Sequence, residues 1–445
     1  MQHPRRVVLP LLLALSGSGL HAQNKAEERA QKVQGDKKHV EALGVWIYDD
    51  LPRGIAVATS NKKPLLVVFR CIPCEACAQL DERVVERDPI VQKKLDEFVC
   101  VRIPHTNGMD LRIFQFDFDQ SWAAFFLNAD MTIYGRYGTR SSRTNADADV
   151  SLEGFAKALD AALELHAKYP GNREALARKR GPAPEHTSPE QMPTLKGRFS
   201  PELDWQGKVV PSCIHCHMVA EAQRSGFRRA KQAIPEELLF SYPNPSTLGL
   251  VMDPKERAKV KSIAADSPAA KAGFAAGDEI VRFADQPIVS IADLQWVLHG
   301  APATGSLAAD ILRGGKELPL VLTLAPGWRT KDDLAWRASS WDLRRMVTGG
   351  LVLEEWTPAA RKAASLAPDQ LGLRVAHVGQ YGDHAAAKKA GFQVGDVVVA
   401  LAGRTRGLTE SQLLAELVRS TKPGDKVEFT VLRDGKTVAL TLPMQ

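Results

Sequence analysis

The segment Ser267-Pro268-Ala269-Ala270-Lys271-Ala272-Gly273-Phe274-Ala275-Ala276-Gly277-Asp278 returns as Ala387-Lys388-Lys389-Ala390-Gly391-Phe392-Gln393-Val394-Gly395-Asp396. Each copy follows a Leu-Gly-Leu tripeptide, Leu248-Gly249-Leu250 in the first and Leu371-Gly372-Leu373 in the second. Each also runs on to a glycine turn, Arg313-Gly314-Gly315-Lys316 or Arg433-Asp434-Gly435-Lys436, and then an apolar strand. A shared AGFxxGD core with shared flanks marks an internal duplication. Turn signals between short apolar runs predict β-rich modules over residues 246–326 and 369–445.

Upstream, residues 46–170 have a different rhythm. Leu65-Leu66-Val67-Val68-Phe69 and Phe98 to Ile103 read as buried strands, with helical spacing from Ala78 to Glu97 between them. Ala124 to Leu127 and Ile133 to Tyr137 predict a hairpin across Asn128-Ala129-Asp130, and Leu152 to Lys168 a closing helix. Strands that feed helices, then a hairpin and a last helix, predict an α/β sandwich. The whole chain is therefore expected to be multidomain, α/β followed by β. Residues 171–245 read as a linker that carries a second cysteine motif, aperiodic and rich in proline, glycine and charge from Pro170 to Pro211, with room for about two helices between Pro193 and Pro245. Its cluster Arg173, Arg178, Lys179 and Arg180 is expected on a solvated face.

Composition limits the function classes. The chain of 445 residues is 44% hydrophobic, 25% charged and 7% aromatic, which excludes a chain disordered throughout or a fibrous repeat. A net charge of +6 over 58 basic and 52 acidic side chains, with no basic stripe interleaved with aromatics, argues against nucleic acid. Arg5 and Arg6, the apolar run Val7 to Leu15 and small residues ending at Ala22 predict a cleaved signal peptide over residues 1–22. A polar helical lead over 23–45 follows. No apolar run reaches the ~18 residues a spanning helix needs, so the expected location is periplasmic or secreted.

Six cysteines stand at 71, 74, 77, 100, 213 and 216, five of them in two tight clusters. Clustering of this kind points to redox or metal chemistry rather than a disulfide framework. In Cys71-Ile72-Pro73-Cys74-Glu75-Ala76-Cys77, a CxxC following a buried strand would put Cys74 in a first helical turn, where exposed N–H groups stabilise a thiolate. Lys63-Pro64 and the strand Leu65 to Phe69 before this CxxC resemble the thioredoxin family over residues 46–170. The resemblance implies thiol–disulfide exchange, with Cys74 as nucleophile and Cys77 as resolving cysteine. Two features depart from the family: Trp122 stands where a cis-proline is expected, and Glu75-Ala76 places an acid between the cysteines. A structural disulfide, or copper(I) or zinc on Cys71, Cys74 and Cys77, are alternative readings. Cys71 and Cys100 also read as small buried hydrophobes.

Cys213-Ile214-His215-Cys216-His217 contains CxxCH. Two thiols at this spacing reach the vinyl groups of one haem edge, and the adjacent histidine binds iron. The expectation is a covalent haem c on Cys213 and Cys216 with His217 as iron ligand, a resemblance to c-type cytochromes confined to the motif. Met192, Met252 and His186 are candidates for the opposite face. A disulfide, or zinc held with His215 or His217, is the alternative.

Both repeats resemble the PDZ domains attached to bacterial periplasmic proteases. That implies carboxylate capture by the loops Leu248-Gly249-Leu250 and Leu371-Gly372-Leu373 and strand addition by a client peptide. No serine nucleophile in a glycine-rich context and no HExxH accompanies them. Between the repeats, residues 327–368 carry Trp328, Trp336, Trp341 and Trp356, and a connector so rich in tryptophan is expected to dock. Together these readings predict an exported thiol–disulfide or electron-transfer protein that selects protein or peptide clients, with a possible redox partner protein. A non-enzymatic PDZ scaffold with structural or redox-sensing cysteines is the rival, and a copper-handling protein the third.

Overall fold

The computed structural model describes residues 17–72, 78–142 and 148–445. Cys74, Cys77 and the greater part of the signal-peptide segment lie outside them. The first unit comprises α1 (Gly17–Leu43), β1 (Trp46–Tyr48), α2 (Leu51–Asn61), β2 (Leu65–Arg70), α3 (Ala78–Val85), α4 (Pro89–Leu95), β3 (Val99–Ile103), β4 (Trp122–Leu127), β5 (Ile133–Tyr137) and α5 (Leu152–Ala167). Its sheet has the order β1-β3-β2-β4-β5, with β1, β3 and β2 parallel, β4 antiparallel to β2, and β5 antiparallel to β4. All six residues of β2 are buried, which is why it reads as an unbroken apolar run. The expected strands, hairpin and closing helix are all present. The helical stretch after β2 is split in two, because Arg87 takes a left-handed φ of 60° and Pro89 then starts α4.

One face of this sheet packs against α3, α4 and α5 around Phe126 and Phe155. The other packs against α2 and, unexpectedly, against the stretch read as a linker. That stretch holds α6 (Arg173–Leu176), α7 (Val209–Ser212), α8 (Cys216–Arg229) and α9 (Glu236–Leu239). Ile214, Cys216, Val219 and Ala222 join Phe69, Phe114 and Phe125 in a single apolar cluster. Residues 213–222 therefore complete a layer of the sandwich. Lys179, expected on a solvated face, is fully buried in an ion pair with Asp293 at 2.8 Å.

The first repeat contains β6 (Leu250–Met252), β7 (Val260–Ile263), α10 (Pro268–Lys271), β8 (Glu279–Phe283), β9 (Gln286–Pro287), α11 (Ile291–Gly300), β10 (Gly305–Arg313) and β11 (Lys316–Leu324). After α12 (Ser340–Thr348) the second contains β12 (Leu351–Glu355), α13 (Pro358–Ala363), β13 (Leu373–Val378), α14 (Ala386–Lys389), β14 (Val397–Leu401), α15 (Glu410–Ser420), β15 (Lys426–Arg433) and β16 (Lys436–Pro443).

The repeated AGFxxGD motif is structural. Gly273 and Gly277, like Gly391 and Gly395, take φ values between 86° and 96°, where a β-carbon is strained. Asp278 accepts the Ala275 N–H at 2.8 Å and the Arg313 guanidinium at 2.7 Å. Asp396 repeats this with Gln393 and Arg433. The turn arginine thus locks the Gly-Asp corner in both copies.

Candidate functional site

Strand β2 delivers Cys71 to the end of the sheet, where its N–H donates to the Ser121 carbonyl at 3.0 Å. Trp122, in the position where a cis-proline was expected, is buried and donates its indole N–H to Asp81 at 2.8 Å. Asp81 also receives Arg70 at 3.1 Å and Arg102 at 2.7 Å. Burial alone would raise the Asp81 pKa, but hydrogen bonds and charge from Arg102 hold it below the usual range. The indole is thus fixed to a charged core.

The second cysteine segment is clamped onto the loop after β3. Ile214 donates its N–H to the Asn107 carboxamide oxygen at 2.8 Å and accepts the Thr106 N–H at 3.0 Å and hydroxyl at 2.8 Å. Asn107 also donates to the Ser212 carbonyl at 2.9 Å. His215 takes the N-cap position and Cys216 begins α8.

The clamp brings the two cysteine segments together. The Cys71 sulfur lies 3.5 Å from His215 Nδ1, and the Cys213 sulfur lies 3.9 Å from the same nitrogen. Ile72 and Cys213 pack in one apolar cluster with Val33 and Val209. Burial, then the neighbouring Cys71, pushes the Cys213 thiol up to about 12 and raises Cys216 as well. Burial, with His217 beside it, brings the His215 pKa down to about 4. Cys213 and Cys216 are not joined by a disulfide, and neither is Cys100, a buried thiol on β3. Among the described residues no group of three or more His, Cys, Asp or Glu side chains is arranged to hold a metal ion.

The connector docks onto the neighbouring units, as its tryptophans predicted, and reaches the loop entering β4. Trp328 is buried and donates to the Pro302 carbonyl at 3.1 Å, and Trp336 is buried too. Between them and α12, Arg337 reaches Asp117 at 2.7 Å, while the Ser339 N–H and hydroxyl each donate to Asp119 at 2.7 Å. Arg224 of α8 adds a third contact, 3.6 Å from Asp119. Residues 117–121, the loop entering β4 beside Cys71, are therefore covered from within the chain.

The repeats place their edges differently from the sequence expectation. In the first repeat, Gly249 (φ 90°) follows a short turn, β6 pairs with β7 as Leu250 with Ile263, and the Gly249 carbonyl accepts the Ala264 N–H at 2.9 Å. In the second, Gly350 (φ 88°) follows α12, β12 pairs with β13 as Leu351 with Val378, and the Gly350 carbonyl accepts the Gly379 N–H at 3.0 Å. The counterpart of Leu248-Gly249-Leu250 is thus Gly349-Gly350-Leu351. Leu371-Gly372-Leu373 instead opens β13, with Leu371 and Leu373 fully buried and Gly372 against the Arg361 guanidinium. The expected alignment fails because the second repeat carries α13 and its flanking turns between its first two strands. Thr348-Gly349-Gly350-Leu351-Val352 beside Thr247-Leu248-Gly249-Leu250-Val251 was the available signal.

The two edges are not equivalent. β6 pairs with β7 alone, and Val251 on it is 40% exposed. On β12, the Leu353 N–H that points away from β13 donates to Glu410 Oε1 at 2.8 Å. Glu410 opens α15 and is held by Arg344 of α12 at 3.0 and 2.6 Å, with both side chains buried. Ile291 occupies the matching first position of α11 and brings no carboxylate. A cleft of about 730 Å³ between the first unit and the first repeat is lined by Arg178, Arg180, Tyr242, Trp296 and His299 among others, with no cysteine in its wall.

Fold and site define a thioredoxin-like domain joined to two PDZ domains. The thioredoxin-like family profile matches residues 46–129, and the PDZ-domain profile matches 246–324 and 364–444. The second PDZ match begins downstream of β12. Among curated relatives, a "Probable periplasmic serine endoprotease DegP-like" of Pseudomonas fluorescens is 27% identical over 42% of this chain and 37% of its own length. Its namesake from a Marinomonas species is 26% identical over 51% of this chain and 45% of its own. The chain therefore spans less than half of the curated relatives it matches. Of solved structures, the HtrA-type protease AlgW with decapeptide matches 31% of this chain and 48% of its own at 18% identity and a TM-score of 0.20. The PDZ domain of EpsC from Vibrio cholerae matches 21% of this chain and 93% of its own at 24% identity and a TM-score of 0.15. No helix among the described residues is long and apolar enough to cross a membrane.

Proposed function

We propose that the chain is an exported, periplasmic thiol–disulfide exchange protein that takes a polypeptide client on its first PDZ domain. The observation that carries the redox reading is the meeting of Cys71 with Cys213 across one imidazole nitrogen. Thiols from distant parts of a chain, brought together under backbone clamps, are placed for exchange rather than for packing alone. Cys74 and Cys77, in the motif that Cys71 begins, supply the pair that meets the client. The open edge of β6 supports peptide reading there. The periplasmic assignment rests on the basic and apolar N-terminal segment and on the names of the relatives.

The covalent haem expected at Cys213, Cys216 and His217 fits these surroundings poorly. Cys216 is 8% exposed and packed in the apolar cluster of the sandwich, and Ile214 between the cysteines is fully buried under the Thr106 and Asn107 clamp. A tetrapyrrole bonded to both sulfurs would displace that packing, so no step is routed through one.

The test is equilibration of the full chain in thiol–disulfide buffers, with trapped thiols counted by mass. The expected result is a reversible two-electron couple near −200 mV or below, the region of exchange-active pairs. A bond that dithiols do not reduce would support the scaffold. Stoichiometric copper(I) binding without such a couple would support the metal carrier. A Soret band lost in Cys213→Ala/Cys216→Ala would restore the haem.

A separate prediction concerns α8. Burial, then Asp342, raises the Glu221 pKa to about 8 from an ordinary value of 4.5. Below pH 4.5 the carboxyl is neutral in both folded and unfolded chain. Between pH 4.5 and 8 the unfolded chain releases the proton and the fold retains it, so stability falls as pH rises. Since Glu221 is partly exposed, about 1–3 kcal/mol is at stake. Glu221→Gln is expected to flatten this slope in urea titrations at pH 5 and pH 8.

A further inference from the structure

We infer that Cys213 and Cys216 form a second dithiol–disulfide couple, and that it exchanges electrons with the thioredoxin-like domain through a Cys71–Cys213 mixed disulfide. The inference rests on the thiol-exchange reading above and adds the internal partner and the bond that joins it. Three independent placements support it. His215 Nδ1 lies within 4 Å of both sulfurs, 3.5 Å from Cys71 and 3.9 Å from Cys213. Cys216, at the start of α8, stands three residues after Cys213 in the CxxC spacing that closes a disulfide. Finally, residues 117–121 beside Cys71 are covered by Arg337, Ser339 and Arg224. The thiol presented to Cys71 is thus one of the chain's own.

The exchange balances without an added co-reactant beyond a mixed disulfide between Cys71 and an aliphatic thiol RSH, written Cys71–S–S–R with R its carbon group. The Cys213 thiol gives its proton to solvent base, with His215 Nδ1 holding the two sulfurs to one side of its ring, and the thiolate attacks the Cys71 sulfur. The S–S bond of that disulfide breaks, RS⁻ leaves and takes a proton from solvent, and the Cys71–Cys213 disulfide forms. Cys216 attacks the Cys213 sulfur and passes its proton to the departing Cys71 sulfur. Cys71 leaves and, with the proton from Cys216, is restored as a thiol. The net result is oxidation of the Cys213/Cys216 dithiol by two electrons and reduction of Cys71–S–S–R to two thiols. The reverse sequence uses the same bonds.

The experiment treats the full chain with oxidised glutathione, quenches with an alkylating reagent and maps peptides under non-reducing conditions. In the wild type the expected product is a Cys213–Cys216 disulfide, with Cys100 remaining an alkylated thiol as internal control. In Cys216→Ser the Cys71–Cys213 cross-link should accumulate at least tenfold over wild type. In Cys71→Ser the Cys213–Cys216 bond should form at least tenfold more slowly, a readout that does not depend on the folding of the Cys216 variant. His215→Asn should slow cross-linking without changing its end point, as a positioning residue would. If Cys74 and Cys77 cycle while Cys213 and Cys216 stay alkylated, the relay is wrong and the proposed function stands. If no cysteine exchanges, both fail. A haem mass on the Cys213–Cys216 peptide would overturn the relay alone.

Discussion

Arg344→Met is expected to destabilise the chain by about 3–5 kcal/mol, because it leaves the Glu410 carboxylate buried without its countercharge. The geometry is unambiguous: Arg344 gives two hydrogen bonds to Glu410, and the pair is 2% and 5% exposed at its side chains. Replacing both partners with apolar groups, as in Arg344→Met/Glu410→Leu, should recover most of the loss, since the unpaired charge is then removed along with its partner. The double variant also frees the Leu353 N–H, which Glu410 occupies on the edge of β12. Titration with C-terminal peptides should then show a second binding event, absent from the wild type, in which only the β6 edge is open. Two events in the wild type would show that the Arg344–Glu410 pair does not close the second edge. A single event in the double variant would show that something else closes it.

Arg337→Met should have a comparable effect, about 3–5 kcal/mol, with a different signature. Arg337 is 1% exposed at its side chain, and burial opposes its charge, but Asp117, Asp119 and Asp332 more than offset this and raise its pKa. Without it, Asp117 and Asp119 lose a shared cation, and the joint between connector and thioredoxin-like domain opens. The connector should become sensitive to limited proteolysis near Trp336, with the cleavage rate rising at least tenfold. Because residues 117–121 would then be uncovered, reduction of an external disulfide such as insulin should speed up in the same variant. Resistance to proteolysis equal to the wild type would contradict the docking role of Arg337.

The elements were readable in the sequence wherever local chemistry settles them. The run Leu65 to Phe69 announces a strand buried on both faces, and all of β2 is buried. The AGFxxGD motif announces its corner, because only glycine takes those φ values without strain and the aspartate accepts a hydrogen bond three residues back. The tryptophans of the connector announce docking, since such side chains are costly to leave in water.

What was missed depended on distance along the chain. His215 read as a spacer in a haem motif or as a zinc ligand, because nothing local tells that Cys71 lies 3.5 Å away across the fold. The residues Gly349-Gly350-Leu351 were hidden because α13 lengthens the path to β13, and a Leu-Gly-Leu tripeptide happened to stand at the entrance to that strand. Lys179 read as solvated because its partner Asp293 lies in the first repeat.

The sequence by itself determined the kinds of module and their order, a thioredoxin-like domain followed by two PDZ domains, because hydrophobic period, glycine conformation and turn chemistry act over a few residues. Only the tertiary structure decided which thiols face each other, which strand edge stays open and which buried charges are paired. Those outcomes depend on close packing and Coulomb partners separated by scores of residues, and local sequence carries no record of them.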